Sequence, residues 1–174
     1  MNLYRHGPMN LYRVTEDGLS IQRALRQMLA TVRHSHFVTL SFHADKTPAE
    51  AQAALRLWSL DVISRLFRSA VFAEMPLADL FSFVALPEFT KAGHPHYHLV
   101  LWLHPDRYAW FARCAGRLWK RIVPTGTSDV QLICPTDLDH ATVISYATKH
   151  ASRPFSSTEF ITSSMLYLPD SGGP

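Results

Sequence analysis

Two strand-like runs set close together constrain this chain most. Residues 80–88 and 96–103 are rich in aromatic and β-branched side chains, and only residues 89–95 separate them. Parallel neighbours need a crossover of a dozen residues or more, so a link this short folds the two runs back as an antiparallel hairpin. An all-helical bundle and a purely parallel sheet are both excluded.

Around the hairpin, helical and strand periodicities alternate. Ile21, Leu25, Met28, Leu29 and Val32 recur at helical spacing over residues 19–33. From His36 the run Phe37-Val38-Thr39-Leu40-Ser41-Phe42-His43 reads as a strand. Thr47-Pro48-Ala49-Glu50 has the form of a capping box with proline at the first helical position. The helix it opens runs to about Arg68, with Leu55, Trp58, Val62 and Leu66 toward the core, and residues 74–79 form a break around Pro76. After the hairpin, Asp106 is expected to cap a helix through Arg121, apolar at Trp110, Phe111, Cys114 and Leu118. A strand over 129–134 and a helix from Thr136 to Ala151 follow. The order is β-α-β-β-α-β-α behind one N-terminal helix. It predicts an α+β fold: a central antiparallel sheet of four to five strands with flanking helices, of the split β-α-β (ferredoxin-like) type.

With 174 residues, 47% hydrophobic and 18% charged, the chain suits one packed core. Residues 1–18 are read as an N-terminal arm in which Met-Asn-Leu-Tyr-Arg occurs at 1–5 and again at 9–13. Residues 19–153 are read as the domain, with its N-terminal helix at 19–34, and 154–174 as a C-terminal tail. No run approaches the roughly 20 apolar residues of a membrane span, and the N-terminus has no secretory pattern. Cys114 and Cys134 suggest no disulfide framework. A cytoplasmic protein is expected. The formal charge of +3 permits a polyanionic partner without demanding one.

The ten histidines say more than the charge. In Gly93-His94-Pro95-His96-Tyr97-His98, alternation along a strand puts His96 and His98 on one face and Tyr97 on the other. If residues 88 and 96 close the hairpin, Glu88 faces His96 across it and shares that side. Two imidazoles and a carboxylate, with coordination positions left open, suit a divalent ion that must also hold substrate oxygens. An HxH pair alone is equally an ordinary feature of a strand; the phased glutamate sets this one apart. His94 has the same parity but stands in the turn, and ranks third among the histidines.

A second constellation is Tyr146-Ala147-Thr148-Lys149-His150. At helical spacing Tyr146 and Lys149 are neighbours, with Asp139 on the same stripe and Ile144, Ala147 and Ala151 on the opposite one. A tyrosine beside a lysine is what a phenolate nucleophile needs, since the ammonium stabilises the developing charge. The same pair is also common on a solvated helix face. Tyr108, directly after the third strand, is the rival tyrosine and better suited to packing.

Together these segments resemble the HUH endonuclease superfamily, and most closely the rolling-circle replication initiators of filamentous phages and plasmids. Phe37-Val38-Thr39-Leu40-Ser41-Phe42 is similar to the family's first-strand motif. Glu88 with His96-Tyr97-His98 is similar to its metal motif, and Tyr146-Ala147-Thr148-Lys149 to its YxxK motif. The resemblance implies metal ligation by Glu88, His96 and His98, with Mg²⁺ or Mn²⁺ as cofactor, and a catalytic pair in Tyr146 and Lys149. It implies nicking and strand transfer on single-stranded origin or hairpin DNA through a 5′-phosphotyrosine, with a host helicase and polymerase as further partners. Some relatives carry two tyrosines on this helix; here Tyr146 stands alone, so single-turnover nicking or a dimer is implied.

Candidate DNA contacts are Lys91, Arg113, Arg117, Lys120, Arg121, His150 and Arg153. Arg113, Arg117, Lys120 and Arg121 form one helical surface, which a solvated helix would also show. A single-strand transposase of the same chemistry, a non-catalytic origin-binding module and an unrelated metalloprotein are the alternatives. A binding module needs no Glu/His/His/Tyr/Lys set, and neither HExxH nor cysteine-pair zinc spacing is present.

Overall fold

The computed structural model describes residues 16–32, 34–43, 45–68, 72–90, 93–133, 136–149 and 161–163. The chain runs α1 (Glu16–Thr31), β1 (His36–Ser41), α2 (Pro48–Leu66), α3 (Leu77–Leu80), β2 (Phe81–Phe89) and β3 (Pro95–Leu103). A 3₁₀ turn (Pro105–Arg107) then leads to α4 (Tyr108–Ile122), β4 (Thr127–Leu132), α5 (Asp137–Ala147) and β5 (Ile161–Thr162).

The strands form one antiparallel sheet in the order β4-β1-β3-β2-β5. β3 lies between β1 and β2, and β1 lies between β3 and β4. Each helical crossover therefore skips one strand, which makes two interleaved split β-α-β units and gives the expected α+β fold. β5 is an addition: Ile161–Thr162 pair with Ala85 and Val84, so this part of the segment read as a tail belongs to the sheet.

Strand parity divides the core into two layers. Odd-numbered residues of β2 and β3 and even-numbered residues of β1 face α2 and α4, where Trp58, Leu55, Phe111, Leu118 and Trp119 fill the space. Each fully buried side chain of this kind contributes about 1.5–3 kcal/mol. Their polar atoms are satisfied: Trp58 Nε1 donates to Ala115 O at 3.1 Å, and Trp119 Nε1 to Ser41 O at 3.2 Å. On the other face Phe37, Val84, Leu86 and Val100 meet Leu25 and Leu29 of α1 and Ile144 and Ala147 of α5. This second layer is smaller, and toward the β2–β3 hairpin it gives way to polar side chains.

Local chemistry explains most boundaries. The capping box at α2 forms on both sides: Glu50 N–H donates to Thr47 Oγ1 at 3.2 Å, and Thr47 N–H to Glu50 Oε2 at 2.8 Å. Three expectations need correction. Asp106 is not the cap of the helix after β3; its own N–H donates to His104 Nδ1, and a proline-led 3₁₀ turn precedes α4. The break around Pro76 contains one helical turn, residues 77–80. The last helix ends at Ala147 rather than Ala151: Thr148 is its C-cap, leaving the helical path at φ −96° and ψ 2° with its hydroxyl donating back to Ile144 O at 2.8 Å. Asp139, on the α5 stripe of Tyr146, also takes part in the helix cap, its N–H donating to Thr136 Oγ1 at 3.2 Å.

Candidate metal and nucleophile site

The β2–β3 register pairs Glu88 with His96 and Leu86 with His98. Glu88, His96 and His98 consequently rise from the same face, and one ligand atom from each lies within 4.8 Å of the others. Glu88 Oε2 is 3.2 Å from His96 Nε2 and 2.8 Å from His98 Nε2. Pairing runs one residue beyond Glu88, to Phe89 opposite Pro95. The turn then closes through Thr90 N–H to His94 O at 2.9 Å and Gly93 N–H to Thr90 O at 2.9 Å. Gly93 has φ +86°, a conformation that favours glycine.

The imidazoles differ in setting. His98 is buried, stacked on Phe37 with centroids 5.4 Å apart, and its Nδ1 lies 3.1 Å from Thr39 Oγ1 on the neighbouring strand. An Nδ1–H donating to that hydroxyl leaves Nε2 with a lone pair directed at Glu88 and His96, which is how metal-bound histidines are held. His96, nearer the sheet end, keeps a buried Nδ1 that has no hydrogen-bond partner among the described residues. His94 turns away, its Nδ1 3.2 Å from Asp45 Oδ1. The donor set, two imidazole nitrogens and one carboxylate, fits a divalent cation with open positions. Tyr97 is buried among α2 and α4 side chains on the opposite face.

α5 brings the second constellation to this place. Tyr146 is 47% exposed, and its ring stands edge-on to His98 at 5.5 Å and to Phe37 at 5.7 Å. Lys149 lies in the turn after α5, where its N–H donates to Tyr146 O at 3.2 Å. Its Nζ sits 3.8 Å from the Tyr146 ring centroid and 4.0 Å from Glu88 Oε2. The ammonium thus bridges the tyrosine and the carboxylate. An open groove of about 550 Å³ runs past them, lined by Ala141, Thr142, Ser145, Tyr146 and Lys149.

Sequence reasoning passed over the residues that hold this arrangement from behind. Thr148 is fully buried between Tyr146 and Lys149. Gln22 Nε2 of α1 donates to its carbonyl at 2.8 Å, and Arg26 Nε to its hydroxyl at 3.0 Å. Nothing in local periodicity connects positions more than 120 apart. Thr39 was hidden for the same reason, since its role depends on β1 pairing with β3.

The basic residues of α4 are not brought to this site. They belong to the layer on the other face of the sheet, where Arg113, Arg117 and Lys120 line a separate groove with Thr127 and Ser128. Arg121 instead binds Asp61 of α2. Lys91, His150 and Arg153 lie outside the described residues, as do Cys134 and Ala151. Tyr108 packs edge-on against His36 at 4.8 Å, a packing role.

Residues 35–153 match the family model for the replication-associated protein ORF2. No curated protein matches the chain. Among solved structures, it is similar to the hypothetical protein ORF119 from Sulfolobus islandicus rod-shaped virus 1, with 13% identity and a TM-score of 0.44. That likeness covers 73% of this chain and 90% of the viral one.

Proposed function

This chain belongs to the replication-associated protein ORF2 family, and from that premise we propose that it initiates replication by nicking and rejoining single-stranded DNA. The observation that carries the proposal is the meeting of Tyr146 and Lys149 with the Glu88–His96–His98 cluster at one sheet end. A non-catalytic origin-binding module would have no use for that convergence.

Each residue has a part in the chemistry. Glu88, His96 and His98 would hold Mg²⁺ or Mn²⁺, which supplies Lewis acidity toward a phosphate oxygen. Tyr146 Oη forms a bond to phosphorus as the P–O3′ bond breaks. The 5′ side is left as a phosphotyrosine, and the departing 3′ oxygen becomes a hydroxyl, taking up a proton equivalent to the one the phenol gives up. Lys149, beside both the phenol ring and Glu88, neutralises charge that builds on the phenolate and the phosphoryl oxygens. Thr39 and Phe37 fix the orientation of His98. The phosphotyrosine conserves the energy of the phosphodiester, so attack by a 3′-hydroxyl reverses the step and joins strands.

The test is an SDS-resistant protein–DNA adduct, formed with a pooled single-stranded oligonucleotide library and Mn²⁺. Wild-type protein should form it, whereas Tyr146→Phe and chelated protein should not. No adduct from any pool would sink the enzyme reading, and an undiminished adduct with Tyr146→Phe would remove Tyr146 from its role.

A further inference from the structure

The groove between α4 and β4 stands apart from the site just described. It lies at the β4 edge of the sheet, has a volume of about 510 Å³, and is lined by Arg113, Gly116, Arg117, Lys120, Thr127 and Ser128, with Ala112 at its margin. Among the described residues no carboxylate lines it. Elsewhere on the described surface several cations are matched, Lys46 with Glu50 and both Arg65 and Arg121 with Asp61, while the exposed Arg23, Arg56 and Arg68 stand apart from one another in the chain. Arg113 and Lys120 enter no ion pair among the described residues. Among the described residues Arg117 donates only to its own helix, from Nε to Arg113 O at 3.1 Å and from Nη2 to Cys114 Sγ at 3.3 Å. Among the described residues, the fold has left these three positive charges unneutralised in one place.

Their spacing narrows the ligand. At i, i+4 and i+7 on one helix, the cations form a row about 10 Å long on a rigid support. Gly116 sits within that row, and a side chain there would strike Ser128 Oγ at 2.6 Å, so the small residue lets helix and edge strand close into one surface. Two hydroxyls, from Thr127 and Ser128, add donors along it. What the groove omits is equally informative. Single-strand sites combine cations with aromatic platforms on which bases stack, and no aromatic side chain among the described residues lines this one. Fixed cations and hydroxyls without a stacking surface read phosphates and not bases.

We propose that this groove is a second DNA site, which grips the phosphate backbone of a double-stranded segment while the opposite face of the sheet handles the single strand. The inference rests on the replication reading for its choice of polyanion, but not on the nicking chemistry. A DNA molecule with both duplex and single-stranded parts would be held across the two faces at once. Positioning would come from the duplex, and cleavage from the metal site.

The experiment measures binding of a duplex of about 20 base pairs and a single strand of equal length by fluorescence anisotropy, in EDTA, over a range of salt. Variants are Arg113→Ala/Arg117→Ala/Lys120→Ala and a charge-matched control, Arg23→Ala/Arg56→Ala/Arg68→Ala, on exposed arginines outside the groove. The groove variant should lose duplex affinity on the order of tenfold or more. The slope of log K against log salt should flatten by roughly 2 to 3, about 0.9 for each lost phosphate contact. Single-strand binding and adduct formation on a short oligonucleotide should stay at wild-type levels. Unchanged duplex binding, an equal loss in the control, an equal loss for single strands, or a wild-type protein that ignores duplex DNA would each overturn the proposal. Failure of the nicking reading is a separate result: no Tyr146 adduct, with groove-dependent duplex binding intact.

Discussion

Thr39 Oγ1 lies 3.1 Å from Nδ1 of His98, across the β1–β3 ladder. The hydroxyl fixes which imidazole nitrogen faces Glu88. Outer partners of this kind typically account for roughly 10–100-fold in metal affinity. Thr39→Val, nearly isosteric, should weaken Mn²⁺ binding on that order while leaving the melting temperature of the metal-free protein within a few degrees. Calorimetric titration with Mn²⁺ measures it, and adduct formation should recover at high Mn²⁺. Unaltered Mn²⁺ affinity would show that the hydroxyl does not orient the ligand.

Removing a ligand should act on metal binding itself. Glu88→Gln or His98→Ala should abolish the Mn²⁺-dependent rise in thermal stability, which for a free-ion concentration of roughly 100 times Kd is about 2.7 kcal/mol. EDTA should remove the same increment from the wild type without unfolding it, because the cluster stands at a sheet end while Val38, Leu40, Leu99 and Trp119 form the core beneath. A stability increment that survives either substitution would place the ion elsewhere.

α1 precedes the family-matched residues 35–153, yet Gln22 and Arg26 grip Thr148 between Tyr146 and Lys149. The double variant Gln22→Ala/Arg26→Ala should cost about 1–3 kcal/mol of stability from two hydrogen bonds. It should also slow nicking on the order of tenfold by loosening the nucleophile, with single-strand affinity within about twofold of wild type. Single-turnover adduct kinetics beside anisotropy separate the two effects. A rate equal to wild type would make this clamp purely structural.

His36 is buried against Tyr108 and Phe111, and burial lowers its pKa from 6.5 to about 4. Between those values the unfolded chain binds the proton and the native one does not, so stability rises with pH. The His36 contribution is fully present above pH 6.5 and is lost as pH falls toward 4, on the order of 3 kcal/mol in all. His36→Leu should flatten this part of a denaturation-against-pH profile. Ser35 Oγ would remain occupied, since it accepts from Leu103 N–H at 3.0 Å. An unchanged slope in the variant would assign the pH dependence to other groups.

How much of this was legible beforehand depends on the range of the interaction. Parity along a strand and the length of a hairpin are local, so the Glu88–His96 pairing and the burial of Tyr97 on the opposite face could be read from residues 88–98 alone. The α2 capping box was legible for the same reason. Expectations about ends fared worse: the stop at Ala147 is a change of backbone path at Thr148, and the capping of the 3₁₀ turn by His104 is a single side-chain bond, neither of which periodicity registers.

The sequence by itself determined that this chain builds an α+β sheet with an acidic and two imidazole side chains on one hairpin face. Only the tertiary structure decided what joins them. It packed α5 on the triad's face and sent the basic side of α4 to the other. It also laid Thr39 beside His98 and locked Thr148 under Gln22 and Arg26. Those choices follow from which apolar stripes bury against which face, and from pairings between residues 59 to 126 positions apart. No local pattern encodes such pairings, because the entropy of closing those loops is offset only by the assembled core.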